Sequence, residues 1–204
     1  KNDSNNVDLL NKVSFLLAYP VYEGKSEAEK EKKYSEANYL ATKAYRLNPR
    51  NAESNYHMAL ALGRMSEYAS TKVKISYARQ IRVSCEKAIS LNPALPGPYH
   101  ILARWHREVA AFNILERAMI ATFFGGGLEG GTYEDALKNF KISLKLDPTN
   151  SIHYYEIALT YYERDIGNDR QLAKDWLRKT LSMKVVDETD KRIHAKAVTL
   201  MKKL

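Results

Sequence analysis

Apolar and small residues recur at three- and four-residue intervals over most of the chain, the spacing that gathers one face of an α-helix. Leu9, Leu10, Val13, Leu16 and Leu17 form a first such face, which Pro20 ends. The charged run 27–33 then opens a longer helix carrying Ala37, Ala41, Ala44 and Leu47 on one side. Ile81, Cys85, Ala88 and Leu91 repeat that spacing, as do Ala136, Phe140, Ser143 and Leu146. All three helices run into one phrase: Leu47-Asn48-Pro49, Leu91-Asn92-Pro93 and Leu146-Asp147-Pro148. Proline lacks the backbone donor and bars the residue before it from the αR region, so each phrase predicts a helix stop. Helical periodicity resumes after each stop, over 56–63, 99–109 and 154–162. It continues over 171–181, and a terminal helix is predicted over about 189–204 with Ile193, Ala197, Leu200 and Leu204 on one face. No segment alternates with a period of two, so no strand is predicted.

The alternation of helix, turn and helix is an internal repeat, and its second members match the tetratricopeptide pattern of an aromatic, an A-x₃-F and a closing proline. Tyr133, Ala136, Phe140 and Pro148 follow it, as do Tyr34, Ala37 and Pro49; Tyr154, Ile157, Ala158 and Tyr161 stand where the first-helix signature falls. Met58-Ala59 and Leu102-Ala103 replace Leu-Gly, an exchange that keeps a small side chain at the helix contact. The closing phrases are 44 and 55 residues apart, against about 34 for an ordinary repeat. The first surplus, around 67–77, is expected to lengthen the helices of the second pair. The second, about 109–131, holds a nearly all-apolar helix ending in Phe123-Phe124 and a glycine-rich stretch over 125–131.

An aromatic-rich first helix with Trp105, then Glu116-Arg117, Ala121 and Phe124-Gly125, leading into Tyr133-Glu134-Asp135-Ala136, resembles the regulator of microtubule dynamics family. The resemblance covers most of 30–204 and is densest over 99–164. It implies a helical-repeat scaffold with a cytoskeletal or organellar partner. The expected architecture is an all-α, right-handed α–α superhelix in a single tetratricopeptide-like domain over 1–204. It has about four helix pairs, an inserted apolar helix within about 109–131 and a C-terminal cap.

Composition narrows the function classes. With 204 residues, 45% apolar and 27% charged, the chain is a globular one that buries about 70% of its unfolded surface. A single cysteine, Cys85, excludes an internal disulfide framework and multi-cysteine zinc sites. The net charge of +8 is spread along the chain, with 9 basic and 7 acidic residues in 1–50, 9 and 6 in 51–131, and 14 and 11 in 132–204. A local basic run, Lys72, Lys74, Arg79 and Arg82, reads as a solvated helix face rather than a nucleic-acid surface. The uncharged stretch 118–128 of the apolar middle has 11 residues, too few to span a bilayer. The chain opens with Lys1 rather than methionine, which points to a segment upstream. The expectation is a soluble domain, cytoplasmic or tethered by such a segment.

Neither a catalytic set, a metal site nor a cofactor is read from the sequence. His57, His100 and His153 each fall near the start of a first helix and would form a ladder in a solenoid; as polar helix residues they need no further role. His106 lacks an i, i+4 ligand partner, and His194 lies on a charged terminal helix. The glycines of 125–131 follow no strand and carry no Gly-Lys-Ser/Thr ending, so they read as a linker that lets the inserted helix fold back. Phe112, Ile114, Leu115, Met119, Ile120, Phe123 and Phe124 are expected to pack into the core, or else to cover an apolar groove.

Helical-repeat proteins recognise partners on the concave surface built by successive first helices. The faces opposite Met58, Leu102 and Ile157 carry Tyr56, Leu60 and Arg64, then His100, Arg104 and Arg107, then Tyr155, Leu159 and Tyr162. Arginine grips carboxylate or phosphate bidentately and tyrosine adds flat apolar area. The expected function is therefore a non-enzymatic scaffold for an acidic or phosphorylated protein segment, with Arg104 and Arg107 as anchors. The alternative is a carrier or sensor of a lipid or other apolar small molecule.

Overall fold

The computed structural model describes residues 5–19, 22, 24–125 and 128–204; the expected helix stop at Pro20 and the glycines 126 and 127 lie outside them. Among these residues the fold is all helical: α1 (Val7–Ala18), α2 (Glu27–Leu47), α3 (Ala52–Met65), α4 (Thr71–Leu91), α5 (Pro96–Ala110), α6 (Ile114–Phe124), α7 (Tyr133–Leu146), α8 (Ser151–Arg164), α9 (Asp169–Ser182) and α10 (Glu188–Met201). The principal pairs are α1 with α2, α3 with α4, α5 with α7 and α8 with α9; α10 packs on α8 and α9. The result is a tetratricopeptide-like α–α superhelix with α6 inserted inside the third pair.

The recurring phrases act as expected. Asn48, Asn92 and Asp147 leave the helix with φ between −136° and −147° and ψ between 75° and 93°, the extended region that a following proline enforces. The Asn48 and Asn92 side chains then accept from the backbone N–H groups of Arg50 and Ala94. Starts are equally explicit: a Ser26/Glu29 capping box opens α2, an Asn113/Glu116 box opens α6, and Pro96 takes the first position of α5. The surplus around 67–77 becomes a 3₁₀ turn over Ser66–Tyr68 and the first turns of the 21-residue α4.

Small residues hold the repeats together. Ala37, Ala41, Ala18 and Ala61 are fully buried in one cluster, and Ala103 and Ala136 in another beside the larger Phe140 and Ile157. The absence of long side chains lets helix axes approach closely, and each truncated contact is compensated by dense packing.

The expectation that the inserted helix packs into the core is corrected. α6 has no buried residue, and Ile114 is 88%, Leu115 70% and Phe123 73% exposed. Only Ile120, Phe124 and the preceding Phe112 reach the core formed by α3, α4 and α5. Beyond Glu116 and Arg117 the helix is apolar on most of its sides, so its pattern gives little periodic signal as to which side is covered.

Candidate concave binding site

Residues of α1, α3, α4, α5 and the start of α8 line an open cavity of about 1000 Å³. Helical spacing places Tyr56, Leu60, Gly63 and Arg64 on its wall from α3, and Gly97, His100, Arg104 and Glu108 from α5. Direct contact between α3 and α5 is slight, so the opening deepens between the second and third pairs. Its apolar floor is made by Ile75 and Ile81 of α4 with Ile101, Trp105 and Val109 of α5 and Leu128. Phe15 and Tyr19, stacked at 4.8 Å, close the side toward α1, and Phe15 also meets His57 at 5.5 Å between centroids.

Two buried polar atoms on residues lining this cavity, Nδ1 of His57 and Nε1 of Trp105, have no hydrogen-bond partner among the described residues. An unpartnered buried donor or acceptor costs about 1–3 kcal/mol. Burial also pushes the His57 imidazole down to about 4, so it is neutral at pH 7. The histidine ladder is partly realised: Nδ1 of His100 and Nδ1 of His153 lie 3.0 Å apart, one donating to the other, and burial pushes His100 down to about 3. All three histidines line the cavity. Among the described residues no group of three or more His, Cys, Asp or Glu is placed to hold a metal.

The sequence-derived site residues separate into three groups. Tyr56, Leu60, Arg64, His100 and Arg104 share the cavity wall. Arg64 is engaged there, its Nε and Nη2 donating to the carbonyls of Ala18 and Tyr19 at 2.8 and 2.9 Å and so closing the end of α1. Arg104 is half exposed and meets Glu108 at 3.3 Å.

Arg107 does not stand open as an anchor. It is 5% exposed, donates to Glu156 and lies 3.3 Å from Glu163. Burial works against the Glu156 carboxylate, but the Arg107 and Arg104 charges outweigh it and hold the group at about 2. Nor do Tyr155, Leu159 and Tyr162 line the cavity: they pack with Leu177, Ala197 and Leu200 under α9 and α10. The terminal helix occupies the face that periodicity alone left open.

Trp105, Phe15 and the α4 residues Ile75 and Ile81 were not among the site residues read from the sequence. The i, i+4 aromatics Phe15 and Tyr19 gave a usable signal. The separation of α3 from α5, which brings α4 to the floor, leaves no mark in the local pattern.

A family model described as Regulator of microtubule dynamics protein 1-3 matches residues 1–204. Regulator of microtubule dynamics protein 1 of Bos taurus is 30% identical over 180 residues, 88% of this chain and 56% of that protein. The Homo sapiens protein of the same name is 29% identical over 177 residues, 86% of this chain and 55% of that protein. Regulator of microtubule dynamics protein 3 of Mus musculus is 25% identical over 150 residues, 74% of this chain and 31% of that protein. The chain thus spans about half the length of the protein 1 relatives it matches. Among solved structures, YrrB, described as a TPR protein with an unusual peptide-binding site, aligns with a TM-score of 0.53 and 18% identity over 98% of this chain and 89% of that one. No helix among the described residues is long and apolar enough to cross a membrane.

Proposed function

The chain belongs to the Regulator of microtubule dynamics protein 1-3 family, and from that premise we propose that it is a non-enzymatic tetratricopeptide scaffold whose concave cavity receives a segment of another protein. The observation that carries this reading is the cavity itself, floored by Ile75, Ile81, Ile101, Trp105 and Val109 and bordered by Arg64, His100 and Arg104. A peptide brings apolar side chains for that floor and polar backbone and side-chain groups for its charged border. Exposed Arg104 at the rim favours an acidic or phosphorylated segment. The peptide-binding site named for YrrB belongs to that protein; here it supports the reading by likeness of fold.

Gly63 supplies the test. It lies in α3 on the cavity wall, and a Cβ built there meets nothing within 4 Å. Gly63→Phe is therefore expected to project a ring into the cavity, with thermal unfolding checking that the fold is kept. Peptides selected from a random 12-residue display library against the full chain are expected to lose binding to this variant. Undiminished binding would contradict the proposal.

A second reading, a carrier of a lipid or other apolar small molecule, is favoured by the cavity volume and its Ile75, Ile81, Ile101 and Val109 floor. Native mass spectrometry separates the two: a stoichiometric co-purified lipid supports the carrier, and a clean mass with Gly63-sensitive peptide binding supports the scaffold.

A further inference from the structure

The inserted helix α6 wears its apolar side outward. By helical spacing Ile114, Leu115, Ala118, Met119, Thr122 and Phe123 fall on one side, and all six are exposed. None of them carries a charge. The two charged residues of α6 serve the chain's own backbone instead: Glu116 accepts from the Asn113 N–H at 2.8 Å, and Arg117 donates to the carbonyls of Phe112 and Val109 at 3.0 and 2.8 Å. A surface helix ordinarily turns its charges to water and its apolar stripe to the core. Here the order is reversed, and α6 is not packed extensively on any other helix. A contiguous exposed apolar side of this kind marks an interaction surface.

Its orientation is fixed at both ends. Arg117 fastens the first turn to the end of α5, and Arg79 of α4 donates to the carbonyl of Phe124, the last residue of α6. Between these ties Ile120 and Phe124 pack on the core of α3, α4 and α5. The helix therefore presents one definite side rather than a rolling one.

The border of that side is basic. Lys72 stands two turns before Arg79 on α4, with Ile75 between them on the same side, and Ile75 belongs to the core that Ile120 and Phe124 cover. Lys74 lines the cavity, as does Phe112, which leads toward α6. Lys72 and Lys74 are exposed, and neither they nor Arg117 form an ion pair among the described residues. Arg82, one turn beyond Arg79, donates to the carbonyl of Glu129 at 3.0 Å and pairs with Glu86. An apolar strip bordered by cations combines the two attractions that hold a helix in the interface of an anionic bilayer. A second copy of the chain is disfavoured as the occupant, since pairing two such sides would bring like charges together.

We infer that α6 is an interfacial membrane anchor: Ile114, Leu115, Met119 and Phe123 enter the headgroup boundary of an anionic phospholipid bilayer, while Lys72 and Lys74 meet its phosphates. Helices of this kind sink about 5–10 Å and do not cross the bilayer. The body of the protein supplies the polar side that α6 itself lacks. This surface is separate from the concave cavity, so it stands or falls independently of the groove reading.

The experiment sediments the full chain with vesicles of phosphatidylcholine alone and of phosphatidylcholine with one-fifth phosphatidylserine. Wild type is expected to sediment with the anionic vesicles, weakly with the neutral ones, and less as salt rises. The double variant Ile114→Gln, Phe123→Gln is expected to lose about tenfold or more in partitioning, and Lys72→Gln, Lys74→Gln to lose several-fold on anionic vesicles only. Gly63→Phe should sediment as wild type does. Thermal unfolding checks each fold, and a second readout needs no loss of function: Cys85 is buried, so a polarity-sensitive fluorophore on Thr122→Cys labels the outward side alone and should shift to the blue on anionic vesicles. Wild type left in the supernatant, an α6 double variant that sediments undiminished, or a label that does not shift would each overturn the inference. Sedimentation lost in Gly63→Phe but kept in the α6 variant would place lipid in the cavity and overturn it too. A wild-type dimer that the α6 variant turns into a monomer, without vesicle binding, would assign the surface to a second copy.

Discussion

The ring of Tyr56 lies against the Cα of Gly97, so closely that a Cβ at position 97 would sit 2.3 Å from Tyr56 Cζ. This contact sets the spacing of α3 and α5 at one edge of the cavity, where glycine is needed for approach rather than for an unusual φ. Gly97→Ala is expected to cost about 1–3 kcal/mol by overpacking, read as a lowered midpoint in urea unfolding. Combining it with Tyr56→Leu should recover part of that loss, a coupling that two independent sites would not show.

Arg107 and Glu156 form a buried pair, which predicts a structural role for the arginine in place of the anchoring one its helical position suggests. Arg107→Ala is expected to destabilise by about 3–5 kcal/mol because it leaves Glu156 buried and unpaired. Arg107→Met with Glu156→Leu should cost less than either single change, measured by chemical denaturation. An Arg107→Ala variant of near-native stability would refute the pairing.

The His57 imidazole is pushed from 6.5 down to about 4 by burial. An unfolded chain therefore binds its proton at a higher pH than the folded one. The stability this represents is complete above about pH 6.5 and is lost as pH falls toward 4, up to about 3 kcal/mol. The thermal midpoint should fall between pH 7 and pH 4.5, and His57→Phe should reduce that fall. A midpoint with the same pH dependence in both proteins would mean that the histidine is solvated.

Ile114, Leu115 and Phe123 project from α6 into solvent. Ile114→Gln and Phe123→Gln are each expected to change stability by less than about 0.5 kcal/mol. Phe124→Ala, which removes a ring packed on the core, should cost clearly more. Equal losses at positions 123 and 124 would place α6 differently.

Much of the architecture was legible because the determinants are local. The three Leu-Asn/Asp-Pro stops and the small-residue face of α2 act within one or two helical turns, and helix order followed from them. The shared cavity wall on α3 and α5 was legible for the same reason: 56, 60 and 64 on one helix and 100 and 104 on the other share a face by period alone. What failed depended on contacts distant in sequence. Arg107 was read as open because its partner Glu156 is 49 residues away, and Tyr155, Leu159 and Tyr162 because α10 returns onto α8. The inserted helix was misread because a nearly all-apolar stretch carries little record of which side meets water.

The central claim is that a protein segment enters the cavity beside Trp105, and the indole N–H signals test it most directly. The chain has two tryptophans, and Trp176 packs in the clusters of α8 and α9, away from the cavity lining. In a ¹⁵N-correlated spectrum, saturation with a display-selected peptide should shift the Trp105 indole signal and leave that of Trp176 in place, with no shift in Gly63→Phe. A peptide that binds while the Trp105 signal stays still, or moves only Trp176, would contradict the account.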